Sequence, residues 1–199
     1  MRFSRIEIKD LLIAWLMISL AFAILFSGGI SILTSVSFSF IIAFAISALT
    51  VGIGFLFHEL MHKFIAQKYG LWAEFHASYH MLFLAILFSF FGFIIAAPGA
   101  VIIKGPVTRE KNGKISLAGP LTNIVLAIIF IIPLLLLRPE GVLEMFLGFG
   151  LTINSLLALF NLIPVIPFDG RKIYSWNKPI YFISVIFALL LFLSRYLVL

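Results

Sequence analysis

Five consecutive residues in the first third of the chain are of types and spacing that could do chemistry: His58-Glu59-Leu60-Met61-His62. On a helix, residues four apart share one face, so both imidazoles can reach a single ion. Glu59 would lie about 100° round the helix from His58, near enough to address a water on that ion without displacing it. Zinc lowers the pKa of such a water to about 7, and a neighbouring carboxylate can then take its proton. In a soluble chain, a histidine pair at this spacing is commonly a solvated surface feature. Here about twenty apolar residues precede it. An ionisable group within an apolar span costs roughly 2.5–3.5 kcal/mol or more, so its retention there points to a function.

Catalytic zinc needs a third protein ligand and an open position. The candidate is Asp169, which follows Asn161, Pro164 and Pro167 and precedes Gly170. The prolines cannot continue a helix and Gly170 permits a tight turn, so a span should end there and present Asp169 on irregular backbone. Taken alone, Asp169-Gly170 reads equally well as an ordinary turn.

The elements that must position these residues follow from composition. The 199-residue chain is 63% hydrophobic and 11% charged, with a mean hydropathy of +1.20. A soluble domain is about half apolar and a quarter charged. The solvent for most of this chain must therefore be a lipid bilayer. The length suits one membrane-embedded domain over 1–199, without an appended soluble domain of ordinary size. The net charge of +6 reports topology before it reports a partner. No pattern of interleaved aromatic and basic residues suggests nucleic acid. The absence of cysteine excludes disulfides and thiolate metal sites. The basic start (Arg2, Arg5, Lys9) and the apolar run from Leu11 resemble a signal peptide. No small-x-small cleavage site follows and the run passes Phe26, so an uncleaved first span is expected.

Five segments are long enough to cross: 11 to about 33, 38 to about 64, 115–137, 142–163 and 180–199. A sixth apolar stretch, 81–97, is shorter. If it crossed fully, Lys104, Arg109, Lys111, Lys114, Arg171, Lys172 and Lys178 would lie outside, against the positive-inside tendency. If it dips in and returns, all seven fall inside. The expected fold is thus an all-α polytopic membrane protein of about five to six transmembrane helices. A re-entrant or small β-hairpin element should lie between the second and third full spans. Residues 101–107 suit a short strand, and Asn112-Gly113 reads as a turn. Such a strand could add an edge to an unwound substrate; a proline there that spared cleavage would count against this. The same charge argument leaves two crossings between the histidine pair and Asp169, which puts all three on one side.

His-Glu-x-x-His on an early span, with Asn-x-x-Pro-x-x-Pro-x-Asp-Gly ending a later one, resembles the site-2 protease family of intramembrane metalloproteases. Gly119-Pro120-Leu121-Thr122-Asn123 resembles that family's Gly-x-x-x-Asn signature. The resemblance covers about 38–176 and implies a three-span catalytic core there. It implies one zinc per chain, held by His58, His62 and Asp169, with Glu59 as general base. It implies regulated intramembrane proteolysis of transmembrane protein substrates, and Asn161, with Asn123 second to it, as the polar contact for the substrate backbone or a developing oxyanion. Arg171 stands where the family often has a second glycine. No PDZ or CBS-type regulatory domain is recognisable. A multi-pass protein of a prokaryotic plasma membrane is expected, with the active site toward the cytoplasm.

Other readings stand beside these. A membrane transporter or metal carrier could use the same His/Asp site, although broken helices in transporters usually come with repeat symmetry, which is not found. A proteolytically dead scaffold would not need Glu59. Asn161 could donate to a developing negative charge or make an interhelical hydrogen bond worth about 0.6 kcal/mol. Asn123 and Asn154 read as helix-packing amides. His76 and His80 could form a second metal site or a lid contact, or be interfacial loop residues. Trp72, Tyr79 and Trp176 suit the membrane interface, and Lys63 and Lys68 should snorkel to it. The oligomeric state is not legible.

Overall fold

Helix α1 (Arg5–Phe26) opens where the Ser4 hydroxyl accepts the Glu7 N–H at 3.0 Å, a side-chain cap on an otherwise unpartnered donor. In this computed structural model, residues 1–34, 38–94 and 98–198 are described. After a short 3₁₀ segment, α2 (Phe38–Ser47) passes through a wide turn at Ala48–Gly52 into α3 (Ile53–Lys68). Strand β1 (Trp72–Ala77), α4 (Tyr79–Ser89) and β2 (Gly99–Lys104) follow. The chain ends with α5 (Arg109–Leu137), α6 (Val142–Asn161), α7 (Asp169–Trp176) and α8 (Lys178–Val198).

Five helices are long and apolar enough to cross a membrane: Arg5–Phe26, Phe38–Lys68, Arg109–Leu137, Val142–Asn161 and Lys178–Leu197. This is a polytopic all-α membrane protein, as expected. The sixth apolar stretch forms the 11-residue α4, which at about 1.5 Å per residue is too short to span; its positions 95–97 lie outside the described residues. So do 35–37 of the connection after α1, and position 199 of the last span.

The expected re-entrant or hairpin element is β1–α4–β2, with two corrections. The strand runs over Gly99–Lys104 rather than 101–107, and its partner is β1, not a local hairpin arm. β1 is not among the expected elements, although its buried Ala73 and Phe75 alternate with the less buried Glu74 and His76. Asn112-Gly113 is not a turn but lies inside α5. Gly113 is needed there because a Cβ would collide with the Trp176 side chain.

The chain forms two compact units. The first comprises Met1–Leu56 and Glu74–Ile102, the second Phe57–Ala73 and Ile103–Leu199. In the first, α1 packs on α2, on α4 and on the wide turn. The Trp15 indole donates to the Ala48 carbonyl at 3.0 Å. A widened turn changes the i→i−4 ladder and can leave such an acceptor available. Gly52 allows this approach, since a Cβ there would come within 2.5 Å of the indole ring. The acids of α1 are buried and serve β1. Glu7 Oε1 accepts the Phe75 N–H at 3.0 Å and Asp10 Oδ2 accepts the Ala77 N–H at 3.0 Å. Residues two apart on a strand face the same way, so one helix caps one strand edge. Asp10 Oδ1 also accepts the Tyr79 hydroxyl at 2.5 Å, and the Ser4 hydroxyl donates to Glu74.

In the second unit, α5 packs on α6, α7 and α8, and α6 packs on α8. Its core gathers Ile124, Ala158, Leu162, Ile173, Tyr181 and Ala188. A second cluster joins Ala127, Leu134, Leu147 and Leu151. On α5 the exposed residues Leu121, Val125, Ile129, Ile132 and Leu136 recur at helical spacing, an outward stripe suited to lipid. The snorkelling expectation fails for Lys63, which is buried with 1% exposure. Lys68 is exposed as expected.

Candidate metal centre

α3 carries His58 and His62 on one face, and α7 begins at Asp169. Pro164 and Pro167 follow the end of α6, and the chain re-enters a helix only at α7. Asp169 thus occupies the first helical position, where a carboxylate is favoured by the backbone N–H groups. Gly170 is required: a Cβ there would strike the backbone of Leu162. Arg171, in place of a second glycine, is exposed and leaves this turn intact.

The three side chains meet. His58 Nε2 and His62 Nε2 are 3.0 Å apart. Asp169 Oδ2 lies 2.9 Å from His62 Nε2 and 3.5 Å from His58 Nε2. All three residues are buried to 8% exposure or less. The carboxylate's other oxygen, Oδ1, faces Lys172 Nζ at 3.5 Å. Burial opposes ionisation of Asp169, but positive charge on His62 and His58, carried as protons when no ion is bound, outweighs it and holds the carboxyl well below the usual carboxylate range.

Hydrogen bonds on the far side of each ring settle what faces inward. His62 Nδ1 is 2.8 Å from the Ile115 carbonyl, which can only accept, so Nδ1 carries the proton. His58 Nδ1 is 2.6 Å from Asn123 Oδ1. Both Nε2 atoms are therefore left to present lone pairs to each other and to a carboxylate oxygen. Three electron-rich atoms converging in a buried site call for a positive charge between them. Two imidazoles and one carboxylate form a three-ligand set of the catalytic-zinc kind. The triangle of 2.9, 3.0 and 3.5 Å is small enough for an ion to reach all three at the usual bond lengths of about 2.0–2.2 Å. Among the described residues this is the one group of three or more His, Cys, Asp or Glu side chains that could hold a metal. Gly119 closes against it, since a Cβ there would sit 2.5 Å from both Nε2 atoms. The residues fit the ion.

Several zinc metalloproteases, by their names, are similar in sequence to this chain. The Methanocaldococcus jannaschii protein named "Putative zinc metalloprotease MJ0611" is 48% identical over 178 residues, which cover 88% of this chain and 87% of the relative. The chain belongs to the site-2 protease family of zinc metalloproteases. Within it, the Bacillus subtilis protein named "Putative zinc metalloprotease YwhC" is 31% identical over 145 residues, 63% of this chain and 65% of that one. The archaeal "Zinc metalloprotease MJ0392" is 28% identical over 151 residues; these are 73% of this chain but 36% of that longer relative. No protein-family model and no solved structure matches the chain. The cofactor is zinc, by the names of these site-2 protease relatives and by the ligand set of the site.

The remaining predicted residues fall as follows. Glu59 follows His58 on α3 and is half-buried. Asn161 ends α6, also half-buried, with its amide donating to the Leu157 carbonyl at 2.9 Å. His76 leans toward Asp10, its Nδ1 3.9 Å from Oδ2, and His80 is exposed. Asn123, expected as a packing amide or a secondary substrate contact, instead holds a histidine of the pair. The glycine-to-asparagine signature was the available signal. The Ile115 carbonyl had none, because backbone atoms leave no mark on residue identity.

Proposed function

We propose that the protein is an intramembrane zinc endopeptidase that hydrolyses peptide bonds in or near transmembrane segments of membrane-protein substrates. The observation that carries this is the buried convergence of His58, His62 and Asp169 beside Glu59, on a helix that belongs to an apolar span. Zinc, when bound, supplies Lewis acidity that acidifies water and polarises a carbonyl. His58, His62 and Asp169 would hold it. Glu59 takes a proton at its carboxylate during attack and returns it to the leaving amine. Asn161 donates from its amide to the substrate backbone or to the oxygen on which charge develops; the bond to Leu157 uses one of its two N–H groups.

The site faces the cytoplasm in this reading, in a prokaryotic plasma membrane. Support comes from the basic residues Lys104, Arg109, Lys111 and Lys114 at and before the start of α5, and Arg171, Lys172 and Lys178 after Asp169.

The test is reconstitution into liposomes with a panel of single-pass membrane proteins, comparing wild type with Glu59→Gln. Wild type should cut at least one substrate. The variant should retain zinc and lose cleavage by about 10²-fold or more. Equal cleavage by both proteins would remove Glu59 from the chemistry. Metal transport without cleavage would favour the carrier reading.

A further inference from the structure

The rings of His58 and His62 are held by different kinds of acceptor, and the difference exposes a dependence on a residue remote from the metal. His62 is oriented by a backbone carbonyl, which can only accept a hydrogen bond. His58 is oriented by the side-chain amide of Asn123, which can turn over. Turned one way, it offers Oδ1 to His58 Nδ1. Turned the other way, it offers an N–H, which favours the tautomer protonated at Nε2 and would put a hydrogen where the metal must bind.

The choice is made further out. Asn123 Nδ2 donates to Asn154 Oδ1 at 3.1 Å, and Asn154 Nδ2 donates to the Gly150 carbonyl at 2.9 Å. A carbonyl can only accept, so it fixes which end of the Asn154 amide faces it. Asn154 Oδ1 then accepts from Asn123 Nδ2, Asn123 Oδ1 is left facing His58, and His58 Nδ1 must donate. Asn123 and Asn154 are both fully buried at 0% exposure, so this order is sheltered from water.

We propose that Asn154 is a positioning residue for the metal centre: through Asn123 it locks His58 in the tautomer whose Nε2 is open to the ion. The inference rests on the assignment of His58, His62 and Asp169 as zinc ligands. The side-chain hydrogen bonds of Asn154 go to Asn123 and Gly150 rather than to any of these, and it extends the usual arrangement in which a metal-bound histidine is oriented by one outer partner.

The experiment measures zinc affinity of the purified full-length protein by competition with a chromophoric chelator, together with histidine tautomer state by ¹⁵N NMR of zinc-free protein. Asn154→Leu should weaken zinc binding about 10–100-fold and shift part of His58 toward the Nε2-protonated tautomer, leaving His62 unchanged. Asn154→Asp keeps an acceptor in front of Asn123 and should stay within about threefold of wild type. Ser155→Ala removes a neighbouring buried hydroxyl that bonds Leu151 outside this network, and should leave zinc affinity unaltered. If the leucine variant cannot be recovered folded, Asn154→Ala carries the same expectation without added bulk. In a cycle with Asn123→Leu, the second substitution should add nothing, because Asn154 acts only through Asn123. Wild-type affinity and tautomer in both Asn154→Leu and Asn154→Ala, equal losses in the leucine and aspartate variants, or additive losses in the cycle would overturn the proposal. Wild type that binds no zinc would instead defeat the ligand assignment on which it stands.

Discussion

Gly119 shows how closely the centre is built around an ion. Its missing side chain is the space beside two imidazole nitrogens, each 2.5 Å from where a Cβ would be. Gly119→Ala should therefore lower zinc affinity by at least tenfold while costing little in α5, where alanine is the better helix former. Chelator competition beside a thermal melt separates the two effects. Retained affinity would mean that α5 can shift away without consequence. The chemistry-bearing types were legible here because few residues ligate metals and their spacing is distinctive: His58 and His62 one turn apart, Asp169 after a proline-broken helix end. The acceptors behind them were not. Ile115 and Gly150 act through carbonyls that every residue possesses, and Asn123 looks like any amide that must find a partner in lipid.

At the scale of elements, apolar length fixed the five spans, since a helix in lipid must cover its own backbone and needs about 20 residues to do so. The β1–α4–β2 insertion was only half legible. Its apolar helix and β2 stand out, whereas the six-residue β1, in which Glu74 and His76 alternate with Ala73 and Phe75, is too short and too polar to be told from a loop. What secures β1 is also long-range: Glu7 and Asp10 lie some seventy residues upstream of the N–H groups they accept. Glu7→Leu would leave the Phe75 N–H buried without that acceptor, at a cost of about 1–3 kcal/mol. Denaturant titration of the detergent-solubilised protein should show this loss. An unchanged midpoint would mean that another group or water takes the acceptor's place.

For the molecule as a whole, a chain suited to lipid encloses a site that is polar, buried and lined by groups that can hold a cation. The sequence pattern carries both halves because each rests on residue type: apolar length for the spans, imidazole and carboxylate for the ion. Zinc, once bound, should also hold α3 and α7 together, since an ion that binds only the folded state adds about 2.7 kcal/mol at one hundred times its dissociation constant. The most direct measurement is zinc-edge X-ray absorption on the purified full-length protein, beside its Asp169→Ala variant. One zinc per chain is predicted, with two imidazoles and a carboxylate oxygen at about 2.0–2.2 Å, and a carboxylate shell that disappears in the variant. A protein that holds no zinc, or a zinc whose shell lacks imidazole or is identical in the variant, would contradict it.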